Sequence, residues 1–253
     1  MKGNLRLEGK SVILDEIRPE FFPYVIKWRN NKNLNRYINQ PYELTPEKEL
    51  EWYENIYLKD SSQGFMIMIC KLNGTPFGTL GWTDYDAGKR QCINGRLILS
   101  DTSYAALLME GYFVLTDYLY RFVDVMYAHV GIHNRKALQW NYMFGFELNS
   151  GEWEYPSEKL VNGVEQCEIS RTKEKYLEVR ERLLKQFNIE KPVEQPITES
   201  KTPPIILTAD SRQQTAYLCA DKRLYEDYTK KRTLFMFMGR DIFMPEPRKE
   251  CAA

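Results

Sequence analysis

The chain has 253 residues, 43% of them hydrophobic, so it is long enough and apolar enough to fold around a buried core. Its 35 basic and 35 acidic residues cancel, which argues against nucleic acid or an anionic membrane as a partner. With five widely spaced cysteines and only two histidines, the sequence predicts neither a disulfide framework nor a metal site.

The sequence predicts no segment that enters or crosses a membrane. The first ten residues lack the apolar run of a secretory signal. The longest apolar stretch, 104–122, is interrupted by Glu110, Asp117 and Arg121, whereas a membrane span needs about 20 nearly continuous apolar residues. We therefore expect a cytoplasmic protein.

A strand and two helices are predicted first. Alternating apolar residues favour a strand over 5–17, and helical spacing follows over 21–29. Thr45 is typical of a helix N-cap and Pro46 of a first helical position, so a second helix is expected over 47–57.

Three strands come next along the chain. Two β-prone runs, 65–72 and 76–83, flank Asn73 and Gly74, a dipeptide typical of a hairpin turn. A third strand fits 91–99. These three strands are expected to form an antiparallel meander.

Helices and strands then alternate. The spacing predicts a helix over 105–122, a strand over 125–130, and a helix that begins at Asn134. A strand opening at Phe146 is expected to pair with 164–170. A meander followed by alternating helices and strands indicates an α+β fold with a mixed, mostly antiparallel sheet flanked by helices.

The last quarter of the chain changes composition. A charged helix with one apolar stripe is predicted over 172–187, and four prolines follow within KPVEQPITESKTPP. We therefore divide the chain into a domain over 1–188, a linker over 189–204 and a small element over 205–253. Because that element is apolar but too short to fold alone, it should dock on the first domain or on a second copy, making a homodimer.

The segment HNRKALQWNYMFGF, which follows a predicted strand, carries a family resemblance. Asn134, Ala137, Gly145 and Phe146 are spaced like the Asn, small residue and final Gly-Phe that follow a strand in GNAT-superfamily N-acetyltransferases. The chain therefore resembles that family, which implies a GNAT-like fold and acetyl-CoA as co-substrate.

A second resemblance starts at Trp28-Arg29-Asn30, at the end of the first predicted helix. It is similar to the branch that contains ribosomal-protein, polyamine and nucleotide-sugar N-acetyltransferases, where this tripeptide is commonest among the sugar-modifying members. Further positions agree with that branch: Trp52, Gly78, Thr79, Asn162 and Gly163. Together the matches extend over roughly residues 5 to 172.

The resemblance also implies where acetyl-CoA would bind. In the family, the pantetheine lies along one central strand and the diphosphate lies at the start of the following helix. The corresponding residues here are Ile98, Leu99 and Ser100 on the strand, Ala105, Ala106 and Leu107 at the helix start, and Asn134 and Asn141 on the later helix. This helix start contains none of the glycines typical of the family.

Three side chains are the catalytic candidates. Asn141 stands where the family usually has the tyrosine that protonates the leaving thiolate, so that role is assigned to the neighbouring Tyr142. Asp84 and Glu51 are the candidate proton acceptors, because they are expected near the acceptor. For each of the three, an ordinary packed or solvated side chain is the alternative.

The resemblance leads to an N-acyltransferase that moves an acetyl group from acyl-CoA to a primary amine. The acceptor is expected to be a small molecule or a protein N-terminus, and the Trp28-Arg29-Asn30 segment favours an amino sugar nucleotide. Two alternatives stay open because of the altered helix start and Asn141. One is a binding or scaffold protein without catalysis, and the other is an acyltransferase with a carrier-protein donor.

Overall fold

A computed structural model describes residues 4–38, 40, 42–161, 163–187 and 189. The predicted element over 205–253 and most of the linker before it lie outside the described residues. Their docking remains a prediction.

The N-terminal segment forms two strands, so the prediction of one continuous strand over 5–17 is wrong. β1 (Arg6–Glu8) and β2 (Val12–Glu16) pair antiparallel, and the Gly9 amide donates to the carbonyl of Val12 at 2.8 Å. A Cβ atom at Gly9 would lie only 2.3 Å from Oε1 of Glu110. The chain reverses here because glycine admits this close approach, which alternation alone does not reveal.

The two predicted N-terminal helices are present. α1 spans Phe22–Arg29, and α2 spans Pro46–Trp52 with a further π-helical turn over Tyr53–Tyr57. The amide of Lys48 donates to Oγ1 of Thr45 at 3.4 Å, which confirms the predicted N-cap.

The predicted meander is confirmed. Its strands are β3 (Gly64–Cys70), β4 (Pro76–Asp86) and β5 (Gln91–Leu99). Gly74 has a φ of +68°, the left-handed conformation that the turn between β3 and β4 requires.

Helices and strands alternate in the second half of the chain, as predicted. Its elements are α3 (Ala105–Leu119), β6 (Val125–Gly131), α4 (Arg135–Met143), β7 (Glu147–Leu148), β8 (Leu160–Val161), β9 (Val164–Thr172) and α5 (Lys173–Phe187). The apolar stripe of α5 is buried, as expected of a helix that packs on the domain. No described helix has both the length and the apolar run that crossing a bilayer requires.

The strands form one sheet in the order β1-β2-β3-β4-β5-β6-β9-β7, with β8 paired to β9. All of these pairs are antiparallel except β5 with β6. This arrangement confirms the predicted α+β class with a mostly antiparallel sheet.

Helices cover both faces of the sheet. On one face, α3 and α4 contact each other through the rings of Tyr112 and Phe144, whose centroids are 4.4 Å apart. Gly111 of α3 lies beside Met68 of β3. On the other face, Trp52 of α2 packs on Phe65 of β3 at 5.9 Å. We call these the α3/α4 face and the α2 face.

Candidate active site

The parallel strands β5 and β6 pair only where they begin. Residues 91–93 of β5 pair with residues 125–127 of β6. Beyond that point β5 continues beside β4 to Leu99, and β6 continues beside β9 to Gly131. The two strands therefore diverge in the middle of the sheet. We call the opening between 94–99 and 128–131 the splay.

A β-bulge interrupts β5 at the splay. Pairing with β4 shifts by one residue between Gly95 and Ile98, so Arg96 and Leu97 together face Leu80. Arg96 has a φ of +56°, which is rare for a residue with a side chain. A bulge leaves one residue of its strand without a partner across the ladder. β5 therefore has backbone groups next to the splay that are not paired across the ladder.

Two residues of β4 hold this bulge. The hydroxyl of Thr79 donates to the carbonyl of Arg96. A Cβ atom at Gly78 would lie 2.3 Å from the carbonyl oxygen of Ile98, so only glycine allows the two strands to approach this closely. The Gly78-Thr79 match of the sequence therefore has a structural role at the bulge.

The side chain of Arg96 is buried on the α2 face. Its guanidinium lies 5.4 Å from the ring centroid of Trp52 and 5.1 Å from that of Phe65, and it donates to Oε1 of Gln63. Burial, together with the charge of Arg29, lowers the pKa of Arg96 to about 10. The side chain therefore still carries its charge at neutral pH.

The segment that leads into α3 is tightly turned. Oδ1 of Asp101 accepts the amide of Ser103 at 2.6 Å, and the ring of Tyr104 stacks on Phe77 with centroids 4.8 Å apart. Of the predicted cofactor residues, Ser100 donates its amide to the carbonyl of Phe77 at 2.9 Å.

At the start of α3, Ala105, Ala106 and Leu107 are half-buried. Leu108 belongs to the core.

The three predicted residues of α4 have different surroundings. Oδ1 of Asn134 accepts the amide of Ala137 at 3.2 Å, which confirms its capping role. The side-chain amide of Asn141 donates to the carbonyl of Ala137 at 2.8 Å, so it is bound within its own helix. Tyr142 lies over β9, where burial and the thiol of Cys167 raise its pKa.

The two predicted carboxylates are exposed. Asp84 lies at a second bulge, in β4, and has a φ of +52°. It is close enough to Tyr155 for its charge to contribute to the raised pKa of that phenol. Glu51 projects from α2 and makes no hydrogen bond or ion pair with another described residue. The two carboxylates lie on different elements, Asp84 on β4 and Glu51 on α2.

A buried histidine–glutamate pair lies across β6 and β9. His129 faces Glu168 in the ladder, and its Nε2 is 3.1 Å from Oε2 of Glu168. The carboxylate also accepts the side chain of Asn149 at 2.6 Å and the amides of Glu154 and Tyr155 at 3.0 Å each. Burial raises the pKa of Glu168, but these hydrogen bonds outweigh it and lower the pKa overall, so the group is anionic.

Aromatic rings enclose this pair. Trp153 stacks on His129 with centroids 6.0 Å apart, and Tyr155 meets it edge-on at 5.7 Å. The hydroxyl of Tyr155 accepts the side-chain amide of Gln91 at 3.2 Å, and burial raises the pKa of this phenol to about 12. Sequence reasoning missed this cluster, although a histidine inside the strand before the Asn134 segment was a usable signal.

The residues of the splay match the acyl-pantetheine part of acetyl-CoA better than its diphosphate part. A bulged strand beside an opening offers backbone hydrogen-bonding groups to an extended, amide-containing chain. At the start of α3, the amide of Ala105 already donates to the carbonyl of Thr102, and no glycine stands between Ser100 and Glu110 to allow the closest approach of a phosphate.

Comparison with known proteins supports the same fold. No protein-family model matches the chain, and no curated protein matches it. Among solved structures, FdhC, described as a nucleotide-linked sugar GNAT, has a TM-score of 0.57 at 18% identity, covering 71% of this chain and 97% of its own.

Two further solved structures agree. Spermidine N-acetyltransferase from Vibrio cholerae, solved with CoA and spermine, has a TM-score of 0.54 at 18% identity, covering 66% of this chain and 98% of its own. A GCN5-related N-acetyltransferase from Brucella melitensis has a TM-score of 0.60 at 13% identity, covering 79% and 95%. Such identities establish architecture and leave the reaction open. The chain has the fold of the GNAT N-acetyltransferases.

Proposed function

We propose that the protein is an N-acyltransferase that moves an acetyl group from acetyl-CoA to a primary amine. The observation that carries this proposal is the splay between β5 and β6 together with the bulge at Arg96. Direct transfer requires both substrates to meet at one place, and we assign that place to the splay, where two neighbouring strands of the sheet stop pairing.

The cofactor-binding roles follow from the position of each residue. The backbone of Ile98, Leu99 and Ser100 would hold the pantetheine, and an amide near Ile98 would polarise the thioester carbonyl. Ala105, Ala106 and Leu107 would face the diphosphate at the start of α3, where the helix dipole favours an anion. Asn134 and Asn141 would support the opposite side of the site by fixing the start of α4.

Tyr142 and the two carboxylates have separate proposed roles. Because burial raises the pKa of Tyr142, the phenol keeps its proton at neutral pH and has one to give to a leaving thiolate. Asp84 is proposed to attract an ammonium group, since it lies exposed beside Tyr155. Glu51 would serve the same purpose from α2.

The acceptor is proposed to be a small amine, with an amino sugar nucleotide preferred over a polyamine or a protein N-terminus. Trp28-Arg29-Asn30 supports this choice, because the tripeptide resembles that of the sugar-modifying branch. In the structure, Asn30 fixes the segment after α1. Its side chain donates to the carbonyl of Leu44 at 2.8 Å and accepts the amide of Leu44 at 2.9 Å. The likeness to FdhC points the same way.

A carrier-protein donor is the second candidate. It is favoured by the start of α3, which lacks glycine, since a phosphopantetheine arm places no diphosphate there. Calorimetric titration with acetyl-CoA and with acetyl-pantetheine separates the two donors. Acetyl-CoA should bind with a dissociation constant weaker than about 1 μM and still more tightly than acetyl-pantetheine. Equal affinities would favour the carrier, and no binding of either would favour a scaffold protein.

A substitution at Gly95 tests the site itself. A Cβ atom at Gly95 would have nothing within 4 Å and the backbone is not left-handed, so Gly95→Leu places a bulky side chain at the opening with an unstrained first carbon. Transfer to amines from a screen read by mass shift should fall by about 100-fold, because reacting groups must be placed closely. Gly151→Leu, at an exposed loop position, is the matched control. Unchanged transfer by Gly95→Leu would place the reaction elsewhere.

A further inference from the structure

His129 lies in the part of β6 that has separated from β5. The paired part ends with Ile93 opposite Tyr127, and the same parallel register places Gly95 opposite His129. Side chains of residues opposite each other in neighbouring strands point to one face. Gly95 pairs with Gly81, and Gly81 pairs with Phe65, which contacts α2. His129 therefore faces the splay from the α2 face.

There is room beside this imidazole. A Cβ atom at Gly95 would meet no atom within 4 Å, so there is space at the position across the splay from His129. Trp153 and Tyr155 contact the imidazole ring. Only 9% of the His129 side chain is exposed.

Glu168 determines which ring nitrogen can accept a proton. Because the carboxylate is anionic and accepts hydrogen bonds only, Nε2 of His129 carries the hydrogen that points at it. In the neutral ring, Nδ1 is therefore the nitrogen that carries the lone pair. No described residue forms a hydrogen bond with Nδ1. The carboxylate thus selects one tautomer of the neutral ring, with Nδ1 as the proton acceptor.

We propose that His129 is the proton acceptor for the amine substrate and that Glu168 is its positioning residue. This inference rests on the proposed acyl transfer. Nδ1 takes one proton from the ammonium form of the acceptor, and the freed amine nitrogen forms a bond with the thioester carbonyl carbon. The carbon–sulfur bond breaks, Tyr142 gives its proton to the leaving sulfur to form a thiol, and the extra proton on nitrogen restores the phenol. His129 then returns its proton to water.

The first test needs no substrate. The chain has only two histidines, so nitrogen NMR of histidine-labelled protein, with His129→Asn for assignment, reads the tautomer directly. In the neutral form of the ring we expect hydrogen on Nε2 and none on Nδ1, with this preference lost in Glu168→Gln. Hydrogen on Nδ1 and none on Nε2 in the wild-type protein would overturn the proposal.

The second test uses transfer from acetyl-CoA to the best amine of the screen. His129→Asn should lower kcat by about 100-fold with little change in the KM for acetyl-CoA, and its remaining rate should rise steadily with pH as solvent removes the proton. Besides Glu168, the titratable Tyr155 contacts His129, and Lys159 lies over Trp153, so Tyr155→Phe is measured alongside.

The control is His133→Asn, which changes the exposed second histidine and should leave kcat and its pH profile unchanged. If wild-type transfer occurs and His129→Asn keeps its rate and pH profile, the proposal fails while the proposed function stands. If His129→Asn unfolds, Glu168→Gln is the variant that tests the proposal. If the two residues had only a structural role, Glu168→Gln would lower stability without changing the pH profile of kcat. If the wild type transfers to no amine, the proposed function fails and this proposal with it.

Discussion

Arg171 shows how much one buried residue can organise in this molecule. It is 1% exposed and donates to the carbonyl of Phe144 at 2.7 Å and to the hydroxyl of Tyr120 at 3.0 Å. The rings of Phe146 and Tyr176 lie 4.5 Å from its guanidinium. Burial lowers the pKa of Arg171, but the neighbouring phenols outweigh it and raise the pKa overall, so the charge stays.

Replacing this residue should therefore be costly. Arg171→Leu would leave the carbonyl of Phe144 without its donor and should lower the free energy of unfolding by about 3 kcal/mol. Urea denaturation measures the change. Arg182→Leu, at an exposed position of α5, is the control and should have little effect. Equal stabilities of the two variants would show that the cation contributes nothing net.

Replacing Glu49 is predicted to raise the free energy of unfolding, the opposite of the effect predicted for Arg171. It is 1% exposed, and its Oε1 has no hydrogen-bond partner. Burial raises its pKa, although Arg29 and Arg96 oppose this. A raised folded-state pKa means that the ionised carboxylate destabilises the fold at neutral pH, and that this cost disappears as pH falls below the unfolded-state value.

Glu49→Gln should therefore stabilise the protein by about 1 kcal/mol at pH 7, the scale of desolvating one buried polar group. The gain should vanish toward about pH 4, where the wild-type carboxyl is protonated in both states. Urea denaturation at both pH values checks this, with the exposed Glu51→Gln on the same helix as control. A destabilised Glu49→Gln would indicate that the two arginines dominate.

At the scale of one element, the start of α3 governs how the donor's diphosphate is held. Ala106→Gly should allow closer approach of a phosphate and tighten acetyl-CoA several-fold, while leaving acetyl-pantetheine unchanged. Calorimetry on both ligands measures the difference. Ala87→Gly in the β4–β5 turn is the control. Tighter binding of both ligands alike would show that the glycine acts through flexibility and not through the diphosphate.

At the scale of the whole molecule, the prediction concerns how the element over 205–253 is buried. Its apolar runs, 205–207 and 234–238, lead to the prediction that it docks on the first domain or on a second copy of the chain. A chain ending at Lys201 should then melt at a lower temperature or contain fewer copies per particle in light scattering. Rapid proteolysis beyond Lys201 that leaves a core of equal stability and the same number of copies would exclude docking.

The sequence by itself determined the features that depend on neighbours along the chain. The Thr45 and Asn134 caps, the Asn73-Gly74 turn and the stripe of α5 were predictable, because each is a local pattern with a local cause. From these, the α+β class and the order of elements followed.

Only the tertiary structure decided the features that join distant segments. The bulge at Arg96 depends on Gly78 and Thr79 of another strand, and the His129–Glu168 pair depends on the register of β6 against β9. A one-residue change of register would turn each of those side chains to the opposite face. Such pairings depend on packing across the whole sheet, which no pattern along the chain encodes.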